Sequence, residues 1–393
     1  MTIDWATDFD LFDAGFVHDP YPVYDELRAG GCPVAHTDRR TSTWMPTTYE
    51  DVSAVAHDTE HFSSRDVGVT PPPGGANLLV APPITSDPPF HSEARRLLLP
   101  AFSPRAIDQL TPATASIADE LIDAVVDAGQ CDAAADYAQH IPVRVISMML
   151  GIPQEEEAQF TDWVVRILQI GQIDPEVGRT ATKEVLDYFR GQVELRRREP
   201  GDDLVTYLLD AELGGAPLTE KHVLGTCFLL LVAGIDTTWS SIGAALLHLA
   251  THHDDRRRLV AEPDLLDTAV EEFLRAYSPV TMARHVVAET EVAGQSVCPG
   301  DKVLLTFPAA NRDPAHFDRA DEVIIDRQYN RHMAFGAGIH RCLGSNLARM
   351  ELRVALDRWL DRIPDFELVD GADVRWNGGQ VRGPRSVPVS FPT

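Results

Sequence analysis

The segment Phe335–Gly344, with the sequence FGAGIHRCLG, constrains the fold most, because it places three glycines and a cysteine directly before a long helical stretch. Gly336 and Gly338 lack the side chain that would hinder a tight turn or the close approach of a flat partner, and Gly344 lacks it beyond Cys342. A thiolate that enters the amino end of a helix is stabilised by the helix dipole and by free backbone N–H groups. The segment therefore predicts a turn that presents the Cys342 thiolate to a flat partner.

Helical periodicity dominates most of the remaining chain. The stretches that carry it are 106–127, 138–150, 156–170, 179–198, 219–251, 265–277 and 343–363. Asp202 and Thr219 stand where helix N-caps are expected. Strand patterns are confined to short pieces such as Val303–Phe307 and Ser386–Phe391. We expect a mainly α protein with a small β region, organised as a single domain over residues 1–393.

Charge and composition limit the partners and the compartment. The chain has 34 Lys and Arg against 60 Asp and Glu, a formal net charge of -26, which argues against nucleic acid or an anionic membrane as the main partner. The longest apolar run, Cys227–Ile235, is too short to cross a bilayer and predicts a buried helix. The amino terminus lacks a secretory signal pattern, and the cysteines are scattered without a CxxC pair, so we expect a cytoplasmic protein.

Two helical patterns carry further polar residues. Glu272 and Arg275 form an ExxR pair on one helix face, for which an ordinary ion pair is the simpler explanation. In the stretch AGIDTT, residues 233–238, a glycine within a helix costs about 1 kcal/mol relative to alanine and calls for a reason. Residues 230, 233, 234 and 237 share one face of that helix, where small side chains would let a flat group lie close.

The full pattern FGxGxHxCxG over Phe335–Gly344 resembles the haem-binding signature of the cytochrome P450 family. The ExxR pair and AGIDTT resemble two more of its motifs, and Arg327 with Asn330 and His332 resembles a third. The resemblance extends from about Pro20 to the carboxyl end. It implies the cytochrome P450 fold, with haem b (iron protoporphyrin IX) between a long distal helix at about 219–251 and the cysteine-loop helix at about 343–363.

The resemblance also implies roles for individual residues. Cys342 would be the axial thiolate ligand of the iron, a ligand that favours oxygen activation over oxygen storage. Asp236 would relay protons from solvent, and Thr237 would hydrogen-bond the oxygen being activated. The simpler alternatives are that Thr237 bonds back to its own helix and that Asp236 pairs with a surface cation. Haem contacts would come from Ala233, Gly234, Phe335 and Gly344, propionate contacts from His91, Arg95, Arg284 and His340, and a locking network from Glu272, Arg275 and Arg327.

The resemblance gives only a weak indication of the substrate. Family analogy places a mostly apolar pocket at Val67, Leu79, Ile170, Leu230, Ala233, Val280, Met282, Val381 and Arg382. Core packing explains the apolar ones equally well, whereas Arg382 would anchor an anionic or carbonyl group. We expect a small hydrophobic organic substrate that dioxygen attacks by hydroxylation, epoxidation or O-dealkylation.

Electrons are expected from separate proteins, because no GxGxxG follows a strand and no iron–sulfur cysteine cluster is present. The family implies a ferredoxin and its NAD(P)H-dependent reductase acting on a monomeric haem protein. Arg96, Arg105, Arg341 and Arg349 are candidates for a basic docking patch, with ordinary solvated arginines as the alternative. Phe90 and Glu93 depart from the family pattern and put partner recognition in doubt. Two other functions stay open, a peroxygenase driven by hydrogen peroxide and a non-catalytic haem sensor.

Overall fold

The protein is described here by a computed structural model of residues 3–32, 34–71 and 80–393. The α-helices in these ranges are α1 (Ala14–His18), α2 (Tyr21–Ala29), α3 (Tyr49–His57), α4 (Phe90–Leu98), α5 (Pro104–Asp108), α6 (Thr111–Asp123), α7 (His140–Met149), α8 (Glu157–Leu168), α9 (Pro175–Arg198), α10 (Leu204–Asp210), α11 (Glu220–Thr251), α12 (His253–Ala261), α13 (Leu266–Ala276), α14 (Phe307–Ala310) and α15 (Ser345–Arg362). A π-helical turn, Ala133–Ala138, precedes α7.

The strands are short. They are β1 (Val34–Thr37), β2 (Thr43–Pro46), β3 (Phe62–Ser63), β4 (Gln130–Asp132), β5 (Glu212–Leu213), β6 (Ala216–Pro217), β7 (Thr281–Val286), β8 (Thr290–Val292), β9 (Gln295–Val297), β10 (Lys302–Thr306), β11 (Glu367–Leu368), β12 (Trp376–Asn377), β13 (Gly383–Pro384) and β14 (Pro388–Ser390). The predicted class, mainly α with a small β region, is therefore confirmed.

The main sheet has the strand order β1-β2-β10-β7-β3, in which only β2 and β10 run parallel. Strand β10 is buried along its whole length at the centre of this sheet, which explains the apolar run predicted as a strand at Val303–Phe307. The second predicted strand forms β14, which pairs with β4 and β11. The main sheet has its own apolar core, separate from the larger helical core.

Helix α11 is the centre of the helical part. The side chain of Thr219 caps it by accepting from the His222 backbone N–H, as predicted. Its 32 residues span about 48 Å. The helix is long and apolar enough to cross a membrane by those criteria alone, but 78% of its most apolar window is buried inside the protein, as expected for a core helix.

Two sequence predictions of helix ends were wrong. The stretch 106–127 is not one helix, because the chain breaks after α5 and restarts at Thr111, with Pro112 in the first turn of α6. Proline lacks the N–H that would have joined it to the preceding turn. The cap of α10 is Asp203 and not Asp202, since the Asp203 carboxylate accepts from the Thr206 backbone N–H at 2.8 Å.

Candidate active site

Cys342 lies in a turn that ends just before α15. Gly336 and Gly338 have φ angles of 72° and 66°, which residues with side chains rarely adopt. The Cys342 backbone N–H closes the turn by donating to the Phe335 carbonyl at 2.7 Å. The Cys342 side chain is accessible because it forms part of the wall of an internal cavity. The turn thus presents the sulfur to a cavity, as its glycines predict.

Glycine is required at Gly338, the second glycine of this turn, for a reason other than the expected one. A Cβ at Gly338 would lie 2.4 Å from the carbonyl oxygen of Ala56, at the end of α3. Gly336 and Gly344 line the cavity, whereas Gly338 does not. Gly338 therefore lets the cysteine turn pack directly on another helix of the protein, and it does not clear space for a flat group.

The surroundings of Cys342 shift the pKa of its thiol in opposite directions. Burial raises the pKa of its thiol, while the Gly344 backbone N–H and the charges of Arg95, Arg341 and Arg349 lower it. The net direction is upward, so the protein alone favours the neutral thiol. A thiolate at this position calls for a strongly positive partner in the cavity, which a metal ion provides.

Helix α11 forms the opposite wall. Leu230, Ala233, Gly234 and Thr237 all line the cavity, as their common helix face predicts. A Cβ at Gly234 would meet only Ile146, at an ordinary contact distance of 3.5 Å. Neighbouring protein atoms therefore do not require glycine at this point.

The Thr237 hydroxyl donates to the Ala233 carbonyl at 2.9 Å. This is the back-bond within the helix that was considered as the simpler alternative, and the side chain faces the cavity at the same time. Because its proton is used by the backbone, the hydroxyl oxygen remains able to accept a hydrogen bond from a group in the cavity.

Asp236 is fully buried and does not line the cavity. An Arg385 nitrogen lies 2.8 Å from Oδ1 of Asp236, and Gln169 donates to the same oxygen at 3.3 Å. The alternative of a surface cation is wrong in one respect, because the arginine side chain is itself only 12% exposed. Burial raises the pKa of Asp236, and Arg385 and Gln169 oppose that rise.

One edge of the cavity gathers the four basic side chains that the sequence singled out. Arg95, Arg284 and His340 line it, and the His91 ring lies 4.2 Å from that of His340. Both ring nitrogens of His91 and Nε2 of His340 are buried without a hydrogen-bond partner in the described part of the chain. Burial and the neighbouring Arg284, His91 and Arg95 lower the pKa of His340 to about 2. Orphaned donors beside two arginines suit carboxylates of a bound group.

Comparison with known proteins identifies the relatives. The family model for Cytochrome P450 matches residues 176–370. The chain is 36% identical over 353 residues to the mycinamicin IV hydroxylase/epoxidase of Micromonospora griseorubida, over 88% of this chain and 89% of that protein. The chain belongs to the cytochrome P450 family. A P450 structure, that of the polyketide synthase cytochrome P450 PksS of Bacillus subtilis, superposes with a TM-score of 0.89 at 34% identity, over 98% of this chain and 100% of that chain.

A second solved P450, CYP109E1 from Bacillus megaterium in complex with testosterone, matches with a TM-score of 0.87 at 31% identity, over 96% of this chain and 99% of that chain. The fold is therefore the cytochrome P450 fold, and the protein is a P450 monooxygenase whose family carries haem iron. The cavity fits that group, because a cysteine lies on one wall and buried nitrogens without a hydrogen-bond partner among the described residues lie at its edge.

The network of Glu272, Arg275 and Arg327 is largely buried, and both oxygens of the Glu272 carboxylate accept several hydrogen bonds. Arg275 donates to both oxygens of Glu272 at 2.8 and 2.9 Å, and neither side chain is exposed. Arg327 donates to the same carboxylate at 3.0 and 3.1 Å, and Asn330 donates at 3.1 Å. The network holds the segment that leads into the cysteine turn, so it fixes geometry near Cys342.

The sequence did not reveal the role of the adjacent acid. Glu271 accepts hydrogen bonds from His332 at 3.1 Å and from Nε and Nη2 of Arg349. Burial would raise the pKa of Glu271, but hydrogen bonds from Arg349 and His332 lower it to about 2. The Arg349 charge is paired with Glu271, and the part of this arginine in a basic docking patch stays a prediction.

Some of the residues predicted for the substrate pocket line the cavity and others do not. Leu230, Ala233, Val280 and Met282 line the cavity, and Leu79 lies outside the described residues. The other predicted residues are not in the described wall: Ile170 is exposed, the Val67 carbonyl accepts from Ala283, Val381 is buried behind Val280, and Arg382 binds the backbone of Val17 and His18 while stacking on Trp376. Arg382 is therefore not a substrate anchor. The cavity is also lined by apolar residues that the sequence did not single out: Pro83, Ile84, Leu98, Phe102, Ile146 and Leu229.

A second buried acid was also missed. Glu351 of α15 lines the cavity, is hydrogen-bonded to the Thr238 side chain, and keeps Oε2 without a partner in the described structure. Burial raises the pKa of Glu351 to about 8. It lies four residues after the buried Leu347, so a charge on the apolar face of a helix was the signal available in the sequence.

Proposed function

We propose that this P450 inserts one atom of dioxygen into a small, largely apolar organic molecule, by hydroxylation, epoxidation or O-dealkylation. The cavity between Cys342 and the Ala233–Thr237 face supports this proposal, because its wall beside α11 is built from aliphatic and aromatic side chains. Among the relatives, one is a hydroxylase/epoxidase of mycinamicin IV and another was solved in complex with testosterone.

Within this proposal Cys342 holds the haem iron, and His91, Arg95, Arg284 and His340 bind the propionates. Haem with an axial thiolate supplies the activation of dioxygen. The chain supplies position and protons. Thr237 accepts a hydrogen bond in the cavity through its hydroxyl oxygen, and Asp236 behind it delivers protons from the solvent side. Phe335 and Gly344 on one wall and Ala233 and Gly234 on the other leave a slot for the flat ring.

We further propose that electrons come from a ferredoxin and its NAD(P)H-dependent reductase, with the chain acting in the cytoplasm as a monomeric, single haem domain that binds neither membrane nor nucleic acid. Arg96, Arg105 and Arg341 are exposed on α4, α5 and the cysteine turn. They offer positive charge to an acidic partner on a chain whose net charge is -26. A peroxygenase that uses hydrogen peroxide would not need the proton relay proposed for Asp236 and Thr237. The presence of both residues therefore favours the dioxygen reaction.

The first experiment is a titration of the purified ferric holoprotein with a panel of apolar compounds, followed by visible absorption. A saturable shift of the main haem band to shorter wavelength with one chemical class supports a pocket beside the iron. The compound with the largest shift is then tested for product with NAD(P)H, ferredoxin and reductase, and in parallel with hydrogen peroxide alone. Faster turnover with peroxide would favour the peroxygenase, and tight binding without product in either system would favour a sensor.

A further inference from the structure

Strand β13 lies directly against helix α11. A Cβ at Gly383 would lie 2.3 Å from the side chain of Ser240, and a Cβ at Gly243 would lie 3.2 Å from Pro384. Two glycines thus allow β13 to rest directly on the helix. Beyond Arg385 the chain is fixed as well, since Ser386 and Val387 both donate to Asp132. The backbone of Arg385 is therefore held on both sides.

The side chain of Arg385 reaches from this segment to Asp236. Its Nη1 donates to the Ser240 hydroxyl at 3.0 Å, its Nη2 lies 2.8 Å from Oδ1 of Asp236, and its guanidinium carbon lies 4.4 Å from the centre of the Trp239 ring. Three neighbours on one helix therefore hold the guanidinium. The acid is fully buried and the arginine side chain is only 12% exposed, so their attraction is only weakly screened by solvent.

The remaining surroundings of Asp236 are neutral. Helix α8 is followed by Gln169, which donates to Oδ1 and carries no charge. Helix α15 contributes Glu351 near this part of α11, but that acid is hydrogen-bonded to Thr238 and lines the cavity. Arg385 is the charged group that acts on Asp236 in the described structure. Oδ2 of Asp236 is buried and has no hydrogen-bond partner among the described residues.

We propose that Arg385 is a positioning residue for the monooxygenase reaction, which holds Oδ1 of Asp236 and leaves Oδ2 as the oxygen that carries protons. This inference rests on the proposed role of Asp236. Arg385 does not line the cavity, so it acts through the acid and contacts neither substrate nor haem.

The test compares the neutral variants R385Q and R385M with R385K, which keeps the charge, and with D236N. A matched control is R256Q, because Arg256 is another buried arginine bound to an aspartate, Asp365 at 2.5 Å, in contacts away from the cavity. Infrared difference spectra of each ferric holoprotein are recorded against pH. The carboxyl band that disappears in D236N reports the protonation of Asp236 without any turnover.

We expect the neutral variants to move the midpoint of that band upward by about one pH unit or more, because an opposite charge at this distance favours the ionised acid. R385K is expected to stay near the unaltered protein, and R256Q is expected to leave the midpoint unchanged. Product formed per NAD(P)H, measured with the compound that gives the largest spectral shift, should show the same displacement of its pH profile.

A midpoint and a pH profile that R385Q and R385M leave unchanged would overturn the inference, as would an equal displacement in R256Q. Absence of an Asp236 band at every pH in both the unaltered protein and the neutral variants would also count against it. The proposed function is judged separately by D236N. If D236N gives the same product per NAD(P)H as the unaltered protein, Asp236 has no role in proton delivery, whatever Arg385 does to its band.

Discussion

Arg349 donates from Nε and one terminal nitrogen to the Glu271 carboxylate, and its guanidinium carbon lies 4.4 Å from the centre of the Phe335 ring. Phe335 begins the cysteine turn and Arg349 belongs to the helix that follows it. The pair therefore ties both ends of the cysteine turn to helix α13, which carries Glu271.

We expect R349Q to lower the free energy of unfolding of the holoprotein by roughly 2 kcal/mol near neutral pH, since it removes charge-assisted hydrogen bonds. The lowered pKa of Glu271, about 2, means that this stabilisation is complete above the ordinary pKa of a glutamate and is lost as pH falls through about 2. Acid titrations with urea unfolding measure it. The control is R353Q, which breaks the exposed pair with Asp267 one turn later and should cost much less. Equal losses in the two variants would contradict the prediction.

The identity of the iron ligand is tested by C342S. A serine oxygen donates less electron density than a thiolate, so the reduced carbon monoxide complex should lose its red-shifted absorption. Replacement of the exposed Cys298 by serine is the control and should leave that absorption in place. Retention of the red-shifted band in C342S would remove Cys342 as the ligand.

The role of the Thr237 oxygen is tested by T237A. Without the acceptor in the cavity, NAD(P)H should still be consumed, but product per NAD(P)H should fall roughly tenfold and hydrogen peroxide should rise. Thr251 makes the same kind of back-bond near the end of α11, to the Leu247 carbonyl at 2.9 Å and away from the cavity, so T251A controls for loss of such a bond. Unchanged coupling in T237A would rule out the assigned role.

Glu351 predicts an unusual pH dependence of stability. Its folded pKa of about 8 lies above the unfolded value of 4.5, so the folded state keeps a proton that the unfolded state loses. Stability should therefore fall between about pH 5 and about pH 8, by at most about 1.4 kcal/mol per pH unit from this group. E351Q should remove that slope in urea unfolding of the holoprotein, whereas E194Q at an exposed position of α9 should not. The same slope in E351Q would show that another group causes it.

The parts of the site that the sequence predicted are local. The φ angles of Gly336 and Gly338, the cap at Thr219 and the common face of Ala233 and Thr237 depend on neighbours within a few residues, so their spacing was enough. The contacts it missed join distant segments. Nothing near Arg382 indicates that it binds the backbone of Val17, and nothing near Arg385 indicates that it meets Asp236. Register and packing of separate elements decide such contacts.

The packing of Gly338 against Ala56 joins two parts of the enzyme that the motifs treat separately. Helix α3 packs in the core of the main sheet, while the turn it supports carries Cys342, the proposed iron ligand. Because no side chain separates Gly338 from Ala56, a shift of α3 toward the turn would move the turn backbone and with it Cys342. Substitutions in the sheet region, remote from substrate, should therefore be visible in the haem spectrum, which makes that spectrum a reporter on the amino-terminal part of the chain.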